Sequence, residues 1–240
     1  MSTTLVLRFP GGRYHATPWG GHGTEGAVDL PPSPWRVLRA LYAVWCTRAP
    51  ELEEDTVHTL LMRLAEPPTF HVPRHGVAPD AFAVFERGAE LGVHWPFELT
   101  AVQRAALERL AGSIPYFGRA DSVCEGFLPA EWEPESHDMW VPVDVAESVS
   151  EDALTTSVLA PELPLRLDAL LARPVDVRKG GLLFPAGTHL LGYQHTRRLA
   201  PRLRPQPRRS AVESTAVRFS VLQAGLPPQT DSLIYTDLLR

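Results

Sequence analysis

A chain of 240 residues with 44% hydrophobic content is long enough to bury a substantial core, as one large domain or two small ones. It holds no run of about eighteen apolar residues and opens with no basic, then apolar, leader, so neither a membrane span nor a signal peptide is expected. The net charge of −5 argues mildly against nucleic acid, but the charges are segregated. Acidic residues cluster in ELEED (51–55), AEWEPESHD (130–138) and DVAESVSED (144–152), and arginines in RRLAPRLRPQPRR (197–209). Lys179 is the only lysine, so nearly all positive charge is guanidinium, the group that stacks on bases and grips phosphate bidentately. Arg-rich codon usage alone would give the same composition. Cys46 and Cys124 belong to no CxxC or Cys/His cluster, which predicts a reduced, cytoplasmic protein without a metal site.

Thr3–Phe9 (TTLVLRF) reads as a strand stopped by Pro10-Gly11-Gly12. Ser33 and Pro34 provide helix-start chemistry, and Trp35, Leu38, Leu41, Tyr42 and Trp45 recur at helical spacing as a buried stripe. A second helix is predicted over 53–65, with Val57, Leu60, Leu61 and Leu64 on one face and Pro67-Pro68 ending it. Short strands follow in TFHV, AFAVF and LGVHW. A third helix begins at Thr100, which has capping-box spacing to Gln103, and ends at Gly112. Residues 113–128 read as a strand bent at Gly118, and 129–152 as a polar, Pro-rich loop. Residues 164–172 suggest a short helix, 178–181 a basic glycine turn, and 187–194 a strand. Beyond these, 197–209 reads as extended, 216–222 as a fresh strand, and Asp231 as a helix cap. Strand, helix, strands, helix, strand is the order of a ferredoxin-like βαββαβ sheet with insertions.

The segment 12–45 concentrates the chemistry. Arg13, Tyr14, His15, Trp19 and His22 lie on a Gly/Pro-rich loop that leads into the first helix. Phosphate-binding and stacking groups mixed on such a loop suit single-stranded RNA. Taken singly, Tyr14 and Trp19 read better as anchors of the loop to the core; it is the group that reads as ligand-facing. Arg36 and Arg39 flank the apolar stripe of the helix. His71 and Arg74 in FHVPRH, Arg119 in PYFGRADS, Lys179 in the basic turn, and Arg197 and Arg198 complete the candidate RNA-binding set. His71 and His75 are four apart, but Pro73 separates them and no further ligand stands nearby, so no metal is expected. Neither GxxxxGK[ST] nor a post-strand GxGxxG occurs, which leaves nucleotide hydrolysis unsupported.

Four blocks, GRYHATPWG, EGAVDLPPSPWRVLRALYAVW, PYFGRADS and PAGTHLLGY, together resemble the CRISPR-associated subunit of type I-G (formerly I-U) systems, over about the first 195 residues. That family belongs to the repeat-associated (RAMP) superfamily and fuses a Cas-five-type Cascade subunit to a Cas-six-type repeat endoribonuclease. The resemblance implies an α+β protein with an RRM/ferredoxin-like RAMP domain carrying insertions. It implies a Cas-five-type module over 1–209 and the start of a Cas-six-type module over 210–240, without the nuclease half. Such a subunit caps the five-prime, repeat-derived handle of the CRISPR RNA in antiviral defence. Its partners are that RNA, the backbone and large subunits of Cascade and, indirectly, target DNA, with no membrane and no cofactor. Arg13, Tyr14, His15, Trp35, Arg36 and Arg119 carry over by position. No catalytic residue is expected in this segment. The alternative is a metal-independent endoribonuclease acting on repeat RNA, with Tyr14 and His15 as its acid–base candidates and Lys179 as a further one.

Overall fold

Alternation along TTLVLRF builds strand β1, Thr3–Phe9, with the predicted bounds: Leu5, Leu7 and Phe9 point into the core, while Thr4 and Arg8 point away from it. A computed structural model describes residues 2–19, 27–78, 82–134, 137–143 and 154–196, all within one unit, Met1–Ala200. The expectations for His22, Arg197, Arg198, the segments 197–209 and 216–222, Asp231 and the module boundary at 209 lie outside these residues. Gly12 turns the chain at φ +63° into β2, Arg13–Tyr14. A side chain at Gly12 would place its Cβ 2.6 Å from the Phe85 carbonyl oxygen, so only glycine fits the turn.

Helix α1, Pro34–Arg48, begins where Pro34 predicts. Its Ser33 hydroxyl does not cap it; it donates instead to the carboxylate of Asp29 (3.1 Å), because that buried carboxylate needs donors more than the helix needs a cap that Pro34 makes partly redundant. Trp35, Val37, Leu38, Leu41 and Val44 form its buried face, and Tyr42 and Trp45 are half-buried at the margin of the predicted stripe. Helix α2, Glu54–Leu64, buries the four predicted residues. The strands β3 (Thr69–Val72), β4 (Gly76–Val77), β5 (Ala83–Val84) and β6 (Ala89–Trp95) follow. Helix α3, Ala101–Ala111, carries the predicted capping box in full, with Gly112 at its end.

The rest departs from expectation only in part: the strand expected over 187–194 forms, and the short helix expected over 164–172 is a 3-10 turn. Residues 113–128 make a turn at Gly118 with an isolated bridge, Tyr116 to Val123, before β7, Glu125–Phe127. The supposed loop 129–152 contains β8, Asp138–Val143, and β9, Thr155–Pro161, follows. Asp168–Leu171 is a 3-10 turn, and α4, Pro174–Lys179, holds the basic residues expected in a turn. β10, Thr188–Thr196, closes the described chain.

Seven strands form one antiparallel sheet in the order β7-β1-β6-β3-β8-β10-β9, and β2-β5-β4 form a small second sheet. The protein is therefore α+β. One face of the large sheet shares its core with the helices, through Leu5, Leu7, Phe9, Phe70 and Val93 against Trp35, Leu38, Leu60 and Leu107. On the other face Trp132 lies over Gly92. A Cβ on Gly92 would stand 2.2 Å from the indole, so the missing side chain provides the indole's space. The Trp132 Nε1–H donates to Glu90 (2.8 Å), which also holds Arg8, and the edges of His71 and His137 flank the ring.

Candidate functional site

Strand alternation divides the loop that the sequence presents as a single cluster. Arg13 and His15 face outward from β2 and its continuation, while Tyr14 between them is wholly buried. Tyr14 stacks between Phe85 and Phe117, meets Phe9 edge-on, and donates its hydroxyl to the Asp29 carbonyl (2.9 Å). Burial pushes its ionisation far above the ordinary tyrosine value. Tyr14 as an RNA-stacking or acid–base residue is thus corrected: the ring anchors the loop to the core and no face of it is open.

The outward pair is joined by Arg119. The Arg13 guanidinium lies over the Phe82 ring, 4.6 Å from its centre, and His15 approaches the same ring. His15 Nδ1 stands 3.1 Å from Asp121 Oδ2, and its Nε2 stands 3.3 Å from Arg119 Nη1. A carboxylate only accepts and a guanidinium only donates, so the geometry suits the tautomer that carries its proton on Nδ1. The same bond from His15 holds the Asp121 carboxyl below the usual range. The lone pair that a general base would use is engaged by Arg119.

The backbone fastens this patch to the next one. Arg119 N donates to the His15 carbonyl, and Gly118, at φ +97°, brings its Cα so close that a Cβ would lie 2.5 Å from that oxygen. Gly118→Ala is expected to destabilise the fold by about 1–3 kcal/mol through backbone strain. Urea unfolding measures this, and an unshifted midpoint would contradict the close approach.

From this junction residues 17–19, 114–116 and Gly118 line a cleft of about 890 Å³ with residues of α1 and α4. Its α1 wall is Arg36, Arg39, Ala40, Ala43, Val44, Thr47 and Arg48, the helix face beside the buried stripe. Arg36 is spoken for: its Nε donates to Asp29 (2.6 Å) and its Nη2 to the Thr17 carbonyl (2.7 Å). Burial works against its charge, but the Asp29 carboxylate, with Tyr14, outweighs burial and raises its pKa. Arg39 lies over Trp19, 5.3 Å from the ring centre, and both burial and the neighbouring Arg36 charge lower its pKa. Among the described residues no carboxylate pairs with Arg39, Arg48 or Arg178.

The predicted residues therefore separate. Arg13, His15 and Arg119 share one patch, and Trp19, Arg36 and Arg39 share the adjoining cleft. Trp35 is buried in the core with part of its side chain in the cleft wall, a correction to its placement as an open RNA contact at the helix start. His71 lies elsewhere, on the sheet face with His94 and Trp132, where burial lowers the pKa of His94. Arg74 and Lys179 are exposed and line neither feature. Sequence reasoning missed Asp29, Phe82, Asp121, Tyr116, Arg48 and Arg178. The repeat of Arg36, Arg39, Ala40, Ala43 and Thr47 at helical spacing was a signal for the cleft wall. Phe82 and Asp121 carried no local mark, because Arg13 and His15, which they meet, are distant in sequence.

Among the described residues no group of three or more His, Cys, Asp or Glu is placed to hold a metal, and no helix is long and apolar enough to cross a membrane. Both cysteines are free, and burial pushes the Cys124 thiol up to about 12. Fold and site together define an α+β protein with a cationic, aromatic-edged cleft beside its first helix. No family model, curated protein or solved structure matches the chain.

Proposed function

We propose that this protein binds single-stranded RNA, as the subunit of a type I-G CRISPR surveillance complex that caps the five-prime, repeat-derived handle of the guide. The observation that carries the reading is the cleft itself. Arg39 is held beside Trp19 and the Arg36 guanidinium, Arg48 and Arg178 line the same cleft, and Arg39, Arg48 and Arg178 have no carboxylate partner among the described residues. A cation kept partly desolvated next to another cation is stabilised when an anion arrives, and the aromatic group beside it suits a base. The outward patch of Arg13, Phe82, His15 and Arg119 extends the same surface.

The strand order supports the RRM/ferredoxin-like RAMP reading. β1, β3, β6 and β7 occur in the chain as βαββαβ, with α1 and α2 in the first crossover and α3 in the second, and stand as β7-β1-β6-β3 in the sheet. The strands β8, β10 and β9 widen it beyond that motif. In this reading the backbone and large Cascade subunits are the protein partners, and base pairing by the guide reads target DNA. Its cutting alternative is weakened by the burial of Tyr14 and by the engagement of His15.

The test is equilibrium binding of handle RNA and of scrambled RNA of equal length, across a salt series. Handle RNA is expected to bind more tightly, with affinity falling steeply as salt rises. Arg39→Ala should weaken binding and flatten the log–log salt slope by about 0.7, the value of one phosphate contact on a single strand. Equal affinity for the scrambled RNA would overturn the handle-specific reading, and salt-independent binding would overturn the electrostatic one.

A further inference from the structure

We propose that the cleft seats one nucleotide turned out of the bound strand, its base over Ala40 and Ala43 and its phosphate on the Arg39 guanidinium. The inference deepens the RNA-binding reading and rests on it. The volume of about 890 Å³ falls in the range of small-ligand sites. Alanines at 40 and 43 keep the helix surface low, and Trp19 and the exposed Tyr116 stand beside it with rings able to stack. Arginines line the same cleft as this apolar floor. An inorganic anion would satisfy them and leave the floor uncovered, whereas an apolar ligand would do the reverse. A nucleotide carries both halves.

Ala43 is exposed on α1, so Ala43→Phe fills the cleft from its floor without touching the core or the cations. The whole chain is titrated with 5′-mononucleotides, the matching nucleosides and inorganic phosphate, and separately with handle RNA. Mononucleotides are expected to bind about tenfold more tightly than either half alone, and to be displaced by RNA. Ala43→Phe should lower mononucleotide affinity about tenfold and RNA affinity by a similar factor, at an unchanged melting temperature. Arg39→Gln should weaken nucleotide and phosphate alike. Phosphate binding as tightly as the nucleotides would overturn the proposal and leave a plain anion patch. Unchanged RNA affinity in Ala43→Phe would overturn it while the RNA reading stands. Mononucleotide binding blocked by Ala43→Phe, in a chain that binds no RNA, would uphold the seat and overturn the RNA reading instead.

Discussion

Replacing Asp29 with alanine is expected to cost about 3 kcal/mol of folding stability. The carboxylate is 4% exposed and accepts from the Ser33 hydroxyl and from Arg36 Nε at 2.6 Å, so its loss leaves a guanidinium uncompensated. The figure sits at the low end for a broken buried pair because Arg36 keeps 21% of its side chain in solvent. Asp29→Asn, which retains an acceptor without the charge, should fall between alanine and wild type. Asp29→Ala combined with Arg36→Ala should cost less than the sum of the two, since no orphaned charge remains. Urea midpoints measure all four proteins. A double variant that is strictly additive would show that the pair is not coupled. The knot also positions the cleft, because Arg36 donates to the Thr17 carbonyl and Asp29 N donates to the Ala16 carbonyl.

Tyr14→Ala is the second large effect, about 3–5 kcal/mol, from deleting a ring packed against Phe9, Phe85 and Phe117. Tyr14→Phe removes only the bond to the Asp29 carbonyl and should cost about 1 kcal/mol. RNA affinity should be the same in Tyr14→Phe as in wild type, since the hydroxyl faces the core. Loss of RNA binding by Tyr14→Phe at unchanged stability would reverse the assignment.

The elements that the sequence declares locally are the ones it predicts well. The bounds of β1, the four buried residues of α2 and the capping box of α3 all follow from periodicity and end chemistry within one element. β8 and β9 were illegible for the complementary reason. DMWVPV carries a proline and an acidic flank, and it becomes a strand by pairing with β3 and β10, far away in the chain. The same division runs through the site. Arg13, His15, Trp19, Arg36 and Arg39 were visible as types of residue on one segment. Which of them face outward depended on a period-2 alternation obscured by a two-residue strand, and which arginines are already paired depended on Asp29. Arg48 stands at the end of α1 itself, whereas Arg178 reaches the cleft from α4, far away in the chain.

The Trp132 indole over Gly92 has a consequence for the division of labour between the two sides of the sheet. Proteins that read RNA on a β-sheet present bare rings there as a landing platform. Here that platform carries its own tenant, an indole fixed by Glu90 and bracketed by two imidazoles. The seat proposed for a base lies accordingly on the helix side, beside Arg39.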